Sequence, residues 1–68
     1  MDESQGNRGI TLGASDNGWF TRTDDGVAVW HPSRDSAFQT ATDWARRHRP
    51  ARAMLWVAGE LVLLFAIP

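Results

Sequence analysis

The sequence predicts an α+β fold: a small antiparallel β-sheet of four or five strands, in the order β-β-(β)-α-β-β, with one amphipathic helix packed on one face. Three observations carry that expectation. Two Asx-Gly turns, Asn17-Gly18 and Asp25-Gly26, punctuate short runs of aromatic and β-branched residues. The apolar period then changes to that of a helix between Ala37 and His48. A last apolar run, Met54 to Ile67, is interrupted near its middle by Ala58-Gly59-Glu60.

Along the chain, residues 10–15 open with the alternation Ile10-Thr11-Leu12, read as a first strand. Trp19 to Thr23 and Val27 to His31 read as a hairpin, because Asx-Gly pairs adopt positive φ at little cost. Pro32 ends the second of these, and Ser33 is placed as the N-cap of a helix at about residues 34–48, with Asp35 near the positive end of the helix dipole. Ala37, Phe38, Ala41, Trp44, Ala45 and His48 fall on one helical face. Of these, Phe38, Ala41, Trp44 and Ala45 are expected to face the sheet. Pro50 disfavours helical geometry at Arg49 and stops the helix. Residues 1–9 are polar, without an apolar segment, and are expected to form a disordered tail ahead of a single domain at 10–68.

The closing segment allows two readings, a hairpin or a membrane anchor. A spanning helix needs about 20 apolar residues, and a carboxylate at mid-bilayer is costly. The run from Ala53 to Ile67 is shorter and holds Glu60 at its centre. A hairpin is therefore expected, and no membrane partner.

The charge is unevenly spread. The net charge is −1, all basic residues are Arg, and four of them, Arg46, Arg47, Arg49 and Arg52, cluster around the predicted helix end. Such a cluster suits phosphate contacts or an acidic protein partner, and equally a cationic helix C-terminus. The overall acidity argues against a dedicated nucleic-acid binder. The absence of Cys fits a reducing compartment, and the expected location is the cytoplasm.

No catalytic constellation stands out. There is no Cys nucleophile, no G-x-S-x-G and no phosphate loop. His31 and His48 lack metal-ligand spacing. A domain this small is also not expected to form a ligand pocket of about 300 Å³ or more. Neither an enzyme nor a cofactor or metal site is expected.

Leu61 to Ile67 is apolar at every position, where a half-exposed strand would alternate. One helix covers one face of a sheet. On simple alternation, Leu61, Leu63, Phe65 and Ile67 are expected to face the helix, and Val62, Leu64 and Ala66 the other side. The uncovered set, together with Trp30, is then expected to meet a partner: another protein or a second copy of the chain.

A Trp-led β-hairpin, a helix carrying Asp35, Ala37, Ala41 and Trp44, and a closing strand span residues 19–57. That order resembles the small phage-encoded inhibitors of bacterial RNA polymerase. The chain departs from them in its apolar last strand and Arg-rich helix end, and no residue role carries over. The resemblance implies a phage or mobile-element protein that blocks a host enzyme. The function expected is a non-enzymatic protein-interaction module; the alternative is a small nucleic-acid-binding protein using Arg46, Arg47, Arg49 and Arg52. Together with Trp30, Val62 and Leu64, these are the candidate partner-binding residues.

Overall fold

The computed structural model describes residues 8–68. Five strands and one helix follow in the order β1 (Arg8–Ser15), β2 (Gly18–Thr23), β3 (Ala28–His31), α1 (Arg34–Arg47), β4 (Ala51–Val57) and β5 (Glu60–Ile67). The expected α+β class and element order are therefore observed. The first strand begins earlier than expected: Arg8 and Gly9, assigned from sequence to the tail, belong to β1. The rest of that expected tail, residues 1–7, lies outside the described residues.

The sheet runs β3-β2-β1-β4-β5. Three of its pairings are antiparallel, but the central one, β1 with β4, is parallel. Connectivity dictates this. Three meandering strands leave the chain at the end of the sheet where β1 finishes. The 14-residue helix then runs back about 21 Å over the sheet. The chain re-enters where β1 started, so β4 must run the same way.

Helix α1 begins at Ser33, whose side-chain oxygen accepts a hydrogen bond from the Ser36 N–H at 3.1 Å. Arg46 and Arg47 occupy its last turn, favourable for the dipole. Its contact line is Ala37, Ala41 and Ala45, all fully buried. These small residues let the helix backbone lie close to Ile10, Leu12 and Ala53 of the sheet. Phe38, expected among the sheet-facing residues, is instead 45% exposed and reaches toward the β5 edge, its ring 5.8 Å from that of Phe65 in a T-shaped contact. Trp44 is half-buried and stacks on His48 at 4.4 Å. The helix lies mainly over β1, β2 and β4 and only brushes β5.

Two polar ties fix the ends of this layer. His31 is buried and shares hydrogen bonds with Thr21 Oγ1 at 3.0 Å and Ser36 Oγ at 3.3 Å, linking β2, β3 and the first turn of α1. Arg8 makes a bidentate contact with Asp24, at 2.9 and 3.1 Å, while its guanidinium sits 5.2 Å from the Trp44 ring centre. The hydrogen bonds from Arg8, with a further one from the Gly9 N–H, hold the Asp24 carboxyl below its ordinary range. A carboxyl lowered in the folded state stabilises the fold above its unfolded pKa, and that contribution is lost as pH falls through the folded value. Thermal melts of wild type and Asp24→Asn are therefore expected to differ at neutral pH and to converge on acidification below about pH 4. Because the pair is solvent-exposed, the difference is expected to be small and to shrink with salt. Equal melting at neutral pH would show that the pair contributes nothing.

The β4–β5 connection is a two-residue turn, Ala58-Gly59, with φ of 55° and 79°. Positive φ at both positions matches the twist of a tight hairpin. The last segment is thus a hairpin, and among the described residues no helix is long and apolar enough to cross a membrane.

Candidate interaction surface

Residue alternation in each strand sorts the side chains onto two faces. Ile10, Leu12, Ala51 and Ala53 point toward the helix and are buried. Their neighbours Thr11, Gly13, Arg52 and Met54 therefore point to the opposite, uncovered face. The pairing register extends this assignment across the sheet. Trp30, Phe20, Gly13, Trp56 and Leu61 lie side by side in one cross-strand row. The next row is Ala28, Arg22, Thr11, Met54 and Leu63. Arg52 and Ala66 follow beside Gly9.

Two glycines shape this face. A Cβ at Gly13 would collide with the Phe20 ring, and one at Gly18 would lie 2.7 Å from the Trp30 indole. The absent side chains let both rings lie down on the backbone of their neighbours. The result is a flat aromatic surface: Trp30 is 56% and Trp56 48% exposed. Leu61 and Leu63 extend it to the β5 edge, where Leu63 is 55% exposed. Arg22 and Arg52 supply its charge, and none of its strand positions carries a carboxylate. Asp24 borders it and is held by Arg8.

Of the partner-binding residues expected from sequence, Trp30 belongs to this face. Val62 and Leu64 do not. A register shift between Ala53 and Met54 pairs them with Phe65 and Leu63, leaving Leu64 as the extra residue of a bulge. The simple alternation expected for β5 is broken there. Leu61 and Leu63 fall on the open face, and Val62 pairs with Leu55 on the helix side. Leu64 lines a helix-side groove of about 440 Å³ with Leu12, Trp19, Phe38 and Leu55. That groove is larger than expected for so small a chain, and it arises because the helix stops short of β5.

The Arg cluster is divided. Arg46, Arg47 and Arg49 are exposed around the end of α1, whereas Arg52 is turned to the open face by the burial of Ala51 and Ala53. His31 sits in the Thr21–Ser36 bridge, and His48 Nδ1 donates to the Trp44 carbonyl at 2.8 Å. Among the described residues, no group of three or more His, Asp or Glu side chains converges as a metal site would require.

Sequence reasoning did not single out Phe20, Arg22, Met54, Trp56, Leu61 or Leu63 as one surface. β2 and β4 carry the signal, a large residue at alternate positions: Phe20 and Arg22, then Arg52, Met54 and Trp56. The signal becomes a surface only once the register is known.

Comparisons of the chain with protein families, with curated proteins and with solved structures find no match.

Proposed function

We propose that the chain is a non-catalytic binding module that engages another protein through the open face of its sheet. The observation that carries this reading is the composition of that face. Trp, Phe, Met and Arg are enriched in protein interfaces and Lys, Asp and Glu are depleted. The face presents Trp30, Phe20, Trp56, Met54, Arg22 and Arg52, and no Lys, Asp or Glu. Contiguous exposed apolar surface on a rigid sheet favours burial against a partner. Replacing Trp30 and Trp56 together by Ser is expected to abolish capture of a partner from source cells and to leave far-UV circular dichroism unchanged. Arg46→Ala/Arg47→Ala/Arg49→Ala is expected to retain capture. If the Trp variant holds the same partner as wild type and the Arg variant loses it, the binding surface is the helix end instead. A host enzyme blocked by such docking is the form of this function that the phage resemblance implies.

A second reading rests on one feature of the same face. Flat aromatic rings beside Arg22 and Arg52 suit unpaired bases, for which stacking contributes about 1–3 kcal/mol per base. This moves the nucleic-acid reading from Arg46, Arg47 and Arg49 to the sheet. Titration of single-stranded oligonucleotides, followed by Trp fluorescence at two salt concentrations, separates the readings. A tight complex that weakens steeply with salt and is lost in Arg22→Ala/Arg52→Ala favours nucleic acid.

A further inference from the structure

We propose that the protein forms a two-fold dimer in which β5 pairs antiparallel with β5 of a second copy, joining two five-stranded sheets into one. This goes beyond the open-face reading, because it concerns the edge of the sheet rather than its face.

The two edges of the sheet differ. β3 is four residues long, follows the Asp24-Asp25 turn and ends at Pro32. Short length, nearby charge and Pro are the means by which an edge strand is kept from pairing. β5 is eight residues long, and from Leu61 to Ile67 it has no charge and no Pro. Among the described residues, no strand lies beyond its outward backbone groups. Long, apolar and unguarded, it is the edge on which a further strand would add.

Charge and face parity favour a second copy and set its direction. Glu60 starts β5 and is the sole acid between Ala45 and Pro68. Ala66 and Ile67, at the other end of β5, lie beside Arg52 and Ala51 of β4. The edge strand therefore starts at an acid, and the nearest cation to its other end is Arg52, one strand in and on the open face. An antiparallel mate sets Glu60 of each copy toward the Arg52 end of the other, whereas a parallel mate aligns like with like. Directly opposed residues in an antiparallel pair share a face. Setting Glu60 against Ile67 satisfies this for the three outer pairs: Glu60 and Ile67 lie on the helix side, Leu61 meets Ala66 on the open face, and Val62 meets Phe65 on the helix side; only at the dyad, where Leu63 opposes the bulged Leu64, is the rule broken. The pairing is self-complementary, as a two-fold interface requires. It also places Val62, Leu64 and Phe65 of both copies together in the gap that α1 leaves uncovered. A seven-residue apolar run on an edge strand thereby becomes a central strand, where such runs belong.

The chain has no native Cys, so engineered pairs report the register cleanly. Opposed residues in an antiparallel pair lie about 4.5–5.5 Å apart at Cα, within disulfide reach. Leu61→Cys/Ala66→Cys is expected to give an intermolecular disulfide dimer on mild oxidation, and Val29→Cys at the other edge none. Sedimentation of the wild-type chain is expected to show a monomer–dimer equilibrium. Val62→Lys is expected to weaken it by more than about tenfold, since it sets a charge into the apolar seam. Trp30→Ser/Trp56→Ser is expected to leave it unchanged, so loss of partner capture and loss of dimer are separate results. A wild-type chain that stays monomeric to millimolar concentration would overturn the proposal. So would a dimer that survives Val62→Lys and dissolves in the Trp variant, because the copies would then meet through the open face. If Val62→Lys does not fold, the Cys pair decides: a wild-type dimer without that crosslink sinks the edge pairing.

Discussion

Ile10→Ala is expected to bring the fold to the brink of unfolding at 25 °C. Ile10 is one of the two largest fully buried side chains; the other buried members of its cluster are Leu12, Ala37, Ala41 and Ala53, with Trp19, Trp44, Leu55 and Phe65 packed around them. Truncating a buried Ile costs about 2–5 kcal/mol, more where the neighbours cannot collapse into the void. The alanines beneath the helix have no reach with which to do so, and the larger side chains are held around the rim of the cluster. A chain of 68 residues has about 3–10 kcal/mol of stability in all. Leu12→Ala removes a side chain of the same size, but Leu12 also lines the helix-side groove, so water and flexible neighbours are at hand. Urea denaturation followed by circular dichroism is expected to rank Ile10→Ala below Leu12→Ala, and both below Trp44→Ala. Trp44 is larger but only half-buried, lying between His48 and the Arg8 guanidinium. If Trp44→Ala proves the most damaging of the three, the core is centred on the Trp44 end of the helix.

The elements of this fold were legible because each has a local cause. Asp16-Asn17-Gly18, Asp25-Gly26 and Pro32 punctuate the strands, and Ser33 and Pro50 bracket the helix. None of these depends on distant residues. What was not legible depends on them. The parallel pairing of β1 with β4 follows from the direction in which α1 crosses the sheet, which no window of sequence contains. The helix face was found, but not which of its residues sets the spacing. Phe38 and Trp44 outweigh alanine in any hydrophobic pattern, yet Ala37, Ala41 and Ala45 occupy the closest approach.

The candidate surface was legible in kind and misplaced in detail. An apolar β5 does imply uncovered hydrophobic surface, and Trp30 does lie on the open face. The bulge at Leu64 reversed the expected sides of Leu61, Val62, Leu63 and Leu64. A one-residue irregularity inverts a period-two pattern on one side of it relative to the other, here the residues before Phe65. A run that is apolar throughout carries no mark of where the inversion falls. The Arg cluster is divided for a related reason: residues close in sequence across a helix end and a strand start came to lie on opposite sides of the sheet.

Ala41→Leu is expected to destabilise the chain by about 1–3 kcal/mol or more, although it replaces one good helix former with another. Ala41 is the middle of the three alanines and has no exposed surface. Ala53 and Ile10 fill the space beneath the helix. A Leu there has to tilt the helix off the sheet or leave its preferred rotamers. The same change at Gln39, exposed on the outer side of α1, alters propensity without altering packing and is expected to leave the melting temperature nearly unchanged. Comparing the two separates the tertiary effect from the local one. A well-tolerated Ala41→Leu would show that the helix rises easily from the sheet and that alanine spacing does not set the layer separation. The open face lies on the far side of the sheet from α1. Any folded fraction of Ala41→Leu is therefore expected to capture partners as wild type does. Loss of capture from a folded Ala41→Leu chain would place the binding surface on the helix side, in the groove beside Phe38 and Leu64.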